Sequence, residues 1–204
     1  MGPHPADGSQ QGNLREVVLA AAVDIVNHEG VGALSMREVA RRAGVSHQAP
    51  YHHFGDRAEI LAHITIQGFD LLTAEMNAAL ASPADPAEAC FIAYVNFAVA
   101  HTGHFKIMFR PELCMVETHD GARAAADRAM NSLMMLVRRV APPDVSERDA
   151  FDWAVLLWAQ VHGAATLLVD GPLSRKLPAG YEVEAMVASV AKLSAATIAG
   201  STRH

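Results

Sequence analysis

Between Ser35 and Arg57 the chain reads SMREVARRAGVSHQAPYHHFGDR, and no other stretch limits its folding so tightly. Ser35 and Glu38 stand at capping-box spacing, so a helix starts at Ser35. Val39, Ala40 and Ala43 give that helix an apolar face. Gly44 ends it, because glycine accepts the left-handed backbone of a helix C-terminus. Val45 plugs the turn, and Ser46 is placed to cap a second helix that runs through Phe54 and stops at Gly55. Two short helices joined by a glycine-containing turn make a helix-turn-helix, a unit whose second helix lies in the DNA major groove.

On a helical wheel Ser46, Ala49, Pro50, His53 and Phe54 share one side of the second helix, and His47, Gln48, Tyr51 and His52 the other. The first side packs inward. The second is almost wholly planar donors and acceptors: glutamine matches an adenine edge, and tyrosine and histidine reach phosphates or base edges. Ser35, Arg37, Ser46, His47, Gln48, Tyr51, His52 and Arg57 are therefore the candidate DNA contacts. Counted from a Ser46 cap, Pro50 is the fourth helical residue and removes one intrahelical bond, which predicts a loosely started helix. By spacing alone, a solvated polar face on any small helical domain looks much the same.

The residues are more specific than the spacing. The run from Leu34 through Leu61, containing VARRAGVSHQAPYHHFGDRAEIL, closely resembles the DNA-binding domain of the TetR family of bacterial transcriptional regulators. Pro50 departs from the family pattern, which has leucine or another helix former there. The resemblance implies an all-α fold of about nine helices: an N-terminal three-helix domain with the helix-turn-helix, and a C-terminal helical domain for effector binding and dimerisation. The expected boundaries are a disordered stretch over 1–12, the DNA-binding domain over 13–57 and the effector and dimer domain over 58–204.

Periodicity and capping signals agree with this layout. Asn13 and Glu16 suggest the start of a first helix, buried through Leu14, Val18, Ala21, Ala22 and Ile25. Asp56 and Glu59 open a helix over about 57–80. Asp85-Pro86-Ala87-Glu88 is a cap, an N1 proline and an N3 glutamate, opening a helix over 86–101. Further helices are expected over 103–109, 118–140, from Ser146 and Asp149 to Asp170-Gly171, and over 181–199.

The 16 basic and 22 acidic residues give a net charge of −6, which argues against a protein that coats nucleic acid nonspecifically. Residues 35–57 nevertheless carry four arginines against two acids, a small basic patch on an acidic body. Cys90 and Cys114 read as small buried hydrophobes in a reducing compartment. No secretory leader is seen at the N-terminus, and the near-apolar stretch from Ala154 to Val169 is shorter than a bilayer span. A cytoplasmic protein with no membrane partner is expected.

In the C-terminal half, HTGHFKIMFRPEL and the run from Trp158 to Gly163 resemble a TetR subgroup with a Trp-x-x-x-His-Gly segment. Trp158 and His162 are four apart and share a helix face. Tyr94, Phe97, His101, Phe109, Met134, Trp158 and His162 are the candidate lining of an effector site for a small apolar molecule with one or two polar groups; the alternative is that they simply fill the core. Gly163, Val183, Met186, Val187, Val190 and Leu193 are the candidate dimer interface. His101 and His104 with Cys114 or His119 could supply metal ligands, but no HxxxH or CxxC pair occurs; no metal and no cofactor is expected. No phosphate loop, GxSxG or paired-carboxylate signature appears, so no catalytic residue is assigned. The expected function is a homodimeric, ligand-released repressor on an inverted-repeat operator of double-stranded DNA. An activator or ligand-blind regulator is the alternative within that class, and an all-helical enzyme using the C-terminal pocket is the alternative outside it.

Overall fold

A computed structural model describes residues 7–173 and 175–201, with side chains over 14–173 and 175–197. The described residues form nine α-helices and one short 3-10 turn, with no strand among them. The helices are α1 (Asp7–Glu29), α2 (Met36–Ala43), α3 (Ala49–Phe54), α4 (Arg57–Ala81), α5 (Pro86–Ala100), α6 (Thr102–Met108), α7 (Asp120–Val140), α8 (Glu147–Val169) and α9 (Val183–Ser201). The 3-10 turn, Val31–Ala33, joins α1 to α2 and was not expected.

The capping signals explain most of these limits. Ser35 accepts a hydrogen bond from the Glu38 N–H, Asp85 from that of Glu88, and Ser146 from that of Asp149. Asp56 accepts from the Glu59 N–H at 2.9 Å. Gly44 closes α2 at φ 67°, a left-handed conformation that a side chain would strain.

Two limits depart from expectation. Helix α1 begins at Asp7, six residues before Asn13, so residues 7–12 are helical and not disordered. The run DGSQQGN contains no proline, and extending an existing helix costs far less than nucleating one. Residues 1–6, the rest of that stretch, lie outside the described residues. The second departure is α3. Ser46 does not cap it: residues 46–48 form a turn, the helix begins at Ala49, and Gln48 occupies the N-cap position with no side-chain cap bond. Pro50 is then the second helical residue, where its missing N–H removes no intrahelical bond.

The chain divides into two compact units, and the division falls inside α4. One unit holds the residues up to Gly68 together with Gly103–Ala124; the other holds Phe69–Thr102 and the residues from Ala125 on. This packing division is a different cut from the expected functional boundary at 57/58, because α6 and the turn after it pack with the first unit. The core of that unit gathers Val18, Ala22, Ile25 and Val26 of α1, Val39 of α2, Phe54 of α3, Ile60 and Ile64 of α4, and Ile107 of α6; Leu113 and Met115 pack against it. Helix α6 comes close to its neighbours through glycines. A Cβ on Gly103 would lie 2.7 Å from Asn27 Oδ1, and one on Gly68 would lie 2.8 Å from Met108 Sδ. In the second unit α5 packs against α8 and α9. Phe97, Val95 and Ala98 of α5 are almost completely buried there, with Ala154 and Ala165 of α8 and Ala191 of α9. Cys90 and Cys114 are free and buried.

Helix α8 is long and apolar enough to cross a membrane by length and composition. The expectation of a shorter stretch counted only from Ala154. The acidic residues of the full helix, Glu147, Asp149 and Asp152, crowd its first turns, and 22% of its most apolar window is buried within the chain.

Candidate nucleic-acid interface and effector site

Helix α3 presents the two sides anticipated for it. Within α3, Ala49, Pro50 and Phe54 are buried, His53 is half-buried, and Tyr51, by 48%, and His52 are exposed; His47 and Gln48, in the turn before the helix, are exposed as well. Ser46 is exposed too, although the wheel placed it inward; it precedes the helix, so helical spacing does not apply to it. The turn before α3 is closed by the Ala49 N–H on the Ser46 carbonyl at 3.0 Å, and its end by the Gly55 N–H on the Tyr51 carbonyl at 2.8 Å.

Three of the four arginines nearby are engaged by partners within the chain. Arg57 is half-buried, and its guanidinium donates to the Leu34 carbonyl at 2.9 Å and the Val31 carbonyl at 3.1 Å. It ties α4 to the 3-10 turn and to the residue before the Ser35 cap. Arg41 pairs with Glu38 at 2.8 Å, and Arg42 with Asp24 and Glu29. The positive patch counted along 35–57 is therefore largely neutralised by partners that include two acids of α1, outside the counted stretch. Arg37 is exposed and makes no ion pair among the described residues. Ser35 is exposed, with its hydroxyl engaged in capping.

In the second unit, three of the expected effector-site residues meet. The Tyr94 hydroxyl lies 2.9 Å from His162 Nδ1, and Trp158 stands edge-on to His162 with ring centroids 6.4 Å apart. The Trp158 indole also hydrogen-bonds the Tyr94 phenol, and burial pushes the Tyr94 pKa well up, with that indole pulling it slightly back. An indole only donates, so the phenol oxygen accepts from Trp158, and the phenol and His162 Nδ1 share the second bond. Burial holds the His162 pKa below the ordinary 6.5 and so favours its neutral form. The result is a chain of three polar groups set in an apolar surround.

The other candidates are placed individually. Phe97 is 2% exposed and lies 5.3 Å from the His101 ring. Met134 on α7 is half-buried. Phe109 falls in the first unit, edge-on to Phe105 at 5.4 Å, whereas the other six fall in the second.

The dimer candidates split as well. Met186 and Val187 are buried within the chain, because the inner face of α9 carries them together with Ala191 and Ser194; they are corrected to core. Val183 and Val190 are half-buried, and Leu193 is 68% exposed. Gly163 of α8 has nothing within 4 Å of an added Cβ. Leu156 and Leu167, on the same face at i−7 and i+4, are 47% and 48% exposed. Neither leucine was singled out in the sequence, though spacing from Gly163 was a usable signal.

A model described as bacterial regulatory proteins of the tetR family matches residues 18–64, the span of α1 to early α4. A second, described as a tetracyclin repressor-like C-terminal domain, matches residues 87–190, half of the chain on its own. The chain belongs to the TetR family. As a TetR-family protein it carries the helix-turn-helix of a DNA-binding transcriptional regulator. It is similar to the transcriptional regulator BetI of Agrobacterium fabrum, 26% identical over 155 residues, covering 70% of this chain and 72% of that protein. A protein of unknown function from Rhodococcus sp. RHA1 is 30% identical with a TM-score of 0.75, covering 99% of this chain and 100% of that one. The TetR-family regulator PfmR from Thermus thermophilus, at 21% identity, shares the fold with a TM-score of 0.66 over 88% of this chain and 97% of its own.

Proposed function

We propose that this TetR-family regulator is a cytoplasmic homodimer that represses transcription from an inverted-repeat operator and leaves it when a small apolar effector binds. The observation that carries the reading is the exposed row His47, Gln48, Tyr51 and His52 over the buried Ala49, Pro50 and Phe54. One such helix touches too few base pairs to find a site in a genome, and a two-fold dimer doubles the reading. The exposed apolar face of α8 and α9 supports that dimer.

The effector reading rests on Tyr94, Trp158 and His162. Three polar side chains on two packed helices, surrounded by apolar ones, suit a small apolar ligand with one or two polar groups better than a sugar or nucleotide. Gln48 and Tyr51 are assigned to base edges, His47 and His52 to bases or phosphates, and Arg37 to phosphate. The family gives no reason to expect catalysis, and no residue is assigned to it.

The test is selection from random-sequence duplexes followed by binding measurements. Enriched sequences should be inverted repeats with half-sites about one helical turn apart. A panel of hydrophobic compounds should contain a member that releases the selected duplex, and Tyr94→Phe should weaken that release without changing DNA affinity. No enrichment over the starting library would overturn the DNA reading; release that ignores Tyr94 would overturn the effector assignment.

A further inference from the structure

A second cluster of ionisable side chains lies within the DNA-binding unit, and neither the exposed face of α3 nor the Tyr94 chain accounts for it. Its centre is His63, half-buried on α4. Arg15 of α1 hydrogen-bonds His63 Nε2 through Nη2. The same guanidinium donates through Nη1 to the His53 carbonyl at 3.4 Å and stacks 4.7 Å from the Phe54 ring centroid. His53 and Phe54 are the last two residues of α3, so Arg15 holds the end of that helix by a carbonyl and a ring. The His63 ring meets Phe54 edge-on at 5.4 Å.

His63 Nε2 also lies 3.1 Å from Glu59 Oε1. His119, in the turn before α7, brings its own Nε2 within 3.5 Å of the same oxygen, with the two imidazole rings 6.1 Å apart. His119 Nδ1 accepts the Ala122 N–H at 3.2 Å, which puts the His119 proton on Nε2, toward Glu59. His63 Nε2 thus has two partners with opposite demands. To accept from Arg15 it must be bare; to donate to Glu59 it must carry a proton.

We propose that Arg15 is a positioning residue for the DNA-reading helix, and that a proton on His63 transfers Nε2 from Arg15 to Glu59 and loosens the hold on α3. The idea rests on α3 being the reading helix. The groups that face His63 are Arg15 from α1, the His53 carbonyl and Phe54 ring from α3, Glu59 from α4 itself, and His119 from the turn before α7. Burial opposes the proton most, Arg15 opposes it next and His119 also opposes it; Glu59 favours it, and the balance lies below the ordinary 6.5. In the unfolded chain His63 binds its proton more readily, so its contribution to stability is complete above 6.5 and is lost as pH falls through the folded value. The device therefore acts on the acidic side of neutrality.

The experiment is amide hydrogen exchange on the full chain, following the α3 amides of His52 and Gly55 and correcting for the intrinsic pH dependence of exchange. In the wild type, protection should fall about tenfold, ~1.4 kcal/mol, on acidification through the histidine range. His63→Gln keeps an acceptor for Arg15 and cannot titrate, so α3 should stay protected throughout. Arg15→Met should leave α3 poorly protected at every pH, and Glu59→Gln should move the wild-type transition to lower pH. Equal pH dependence in wild type and His63→Gln overturns the proposal, as does wild-type protection in Arg15→Met. If Arg15→Met does not fold, the comparison of wild type with His63→Gln still decides. In a second arm, a duplex selected from a random library should lose affinity on acidification for the wild type more than for His63→Gln; equal losses overturn the positioning role. If no duplex is selected, the DNA reading fails while the exchange result stands on its own.

Discussion

Arg57 and Arg37 differ once the side chains are seen: Arg57 is engaged with backbone carbonyls, and Arg37 is exposed. Both are arginines beside a helix-turn-helix, and by sequence either suits a phosphate. Arg57 instead supplies donors to two backbone carbonyls, of Leu34 and Val31, with no other side chain described on them. Arg57→Ala should therefore destabilise the first unit by about 1–3 kcal/mol, because the Leu34 carbonyl loses its donor while the Val31 carbonyl keeps the Leu34 N–H at 3.2 Å. A melting curve reads this directly; an unchanged transition would show that water replaces the guanidinium without loss. Arg37→Ala should leave the melting curve alone, weaken binding to all sequences alike and flatten the salt dependence by about one unit. Gln48→Ala should act differently again, costing about 1–3 kcal/mol on a selected duplex and relaxing preference at one base position. If preference is unchanged at every position, Gln48 does not read a base.

At the scale of the element, what could be read in advance follows from the range of the interaction. Caps are local, and Ser35, Asp56, Asp85 and Ser146 all act where their spacing put them. The start of α3 is not local in that sense. It is set by a turn over residues 46–48 and by burial of Ala49 and Pro50 against the rest of the unit. That changes the expectation for Pro50. In a helix begun at Ser46 it would cost a bond, and leucine would be an improvement. In the second position, buried, its fixed φ suits the helix start, so Pro50→Leu should lower the melting temperature through a poorer fit and a freer unfolded chain. A rise on that substitution would mean that the helix begins earlier than Ala49.

Helix pairing shows the same limit. Trp158 and His162 share a face by simple spacing, but the bond from Tyr94 to His162 joins residues 68 apart, and no periodicity announces it. The contacts of Arg15 with His63, between two helices, and of His119 with Glu59, between a turn and a helix, are distant in sequence in the same way. Tyr94→Phe should leave Trp158 N–H and His162 Nδ1 without their shared partner and lower stability by about 1–3 kcal/mol. Burial keeps the His162 pKa low, so neutral His162 contributes fully above pH 6.5, and that contribution fades as pH falls through the folded value. A melting temperature flat across the acidic range in a His63→Gln background would remove His162 from this account.

For the whole molecule the decisive surface is the one that a single chain leaves bare. Leu156, Gly163 and Leu167 recur along the exposed side of α8, while Ala154, Leu157, Val161 and Ala165 face inward. On α9 the inner face buries Met186, Val187 and Ala191, and Leu193 stands at its edge. The bond from Ser194 to Gln160, 2.7 Å, brings the two helices together where Leu193 adjoins Ser194 and Leu156 lies one turn before Gln160. Exposed leucines on two helices of a lone chain invite association, and the open space at Gly163 admits a helix at close range. Leu156→Glu together with Leu193→Glu should leave the helical content intact, since neither side chain is needed to fill the core. It should give monomers in sedimentation at micromolar concentration and reduce binding to an inverted-repeat duplex to that of a half-site. A Gly163→Arg substitution should do the same by occupying the approach. A wild-type chain that sediments as a monomer, or a double variant that remains dimeric, would place the dimer contact on another face.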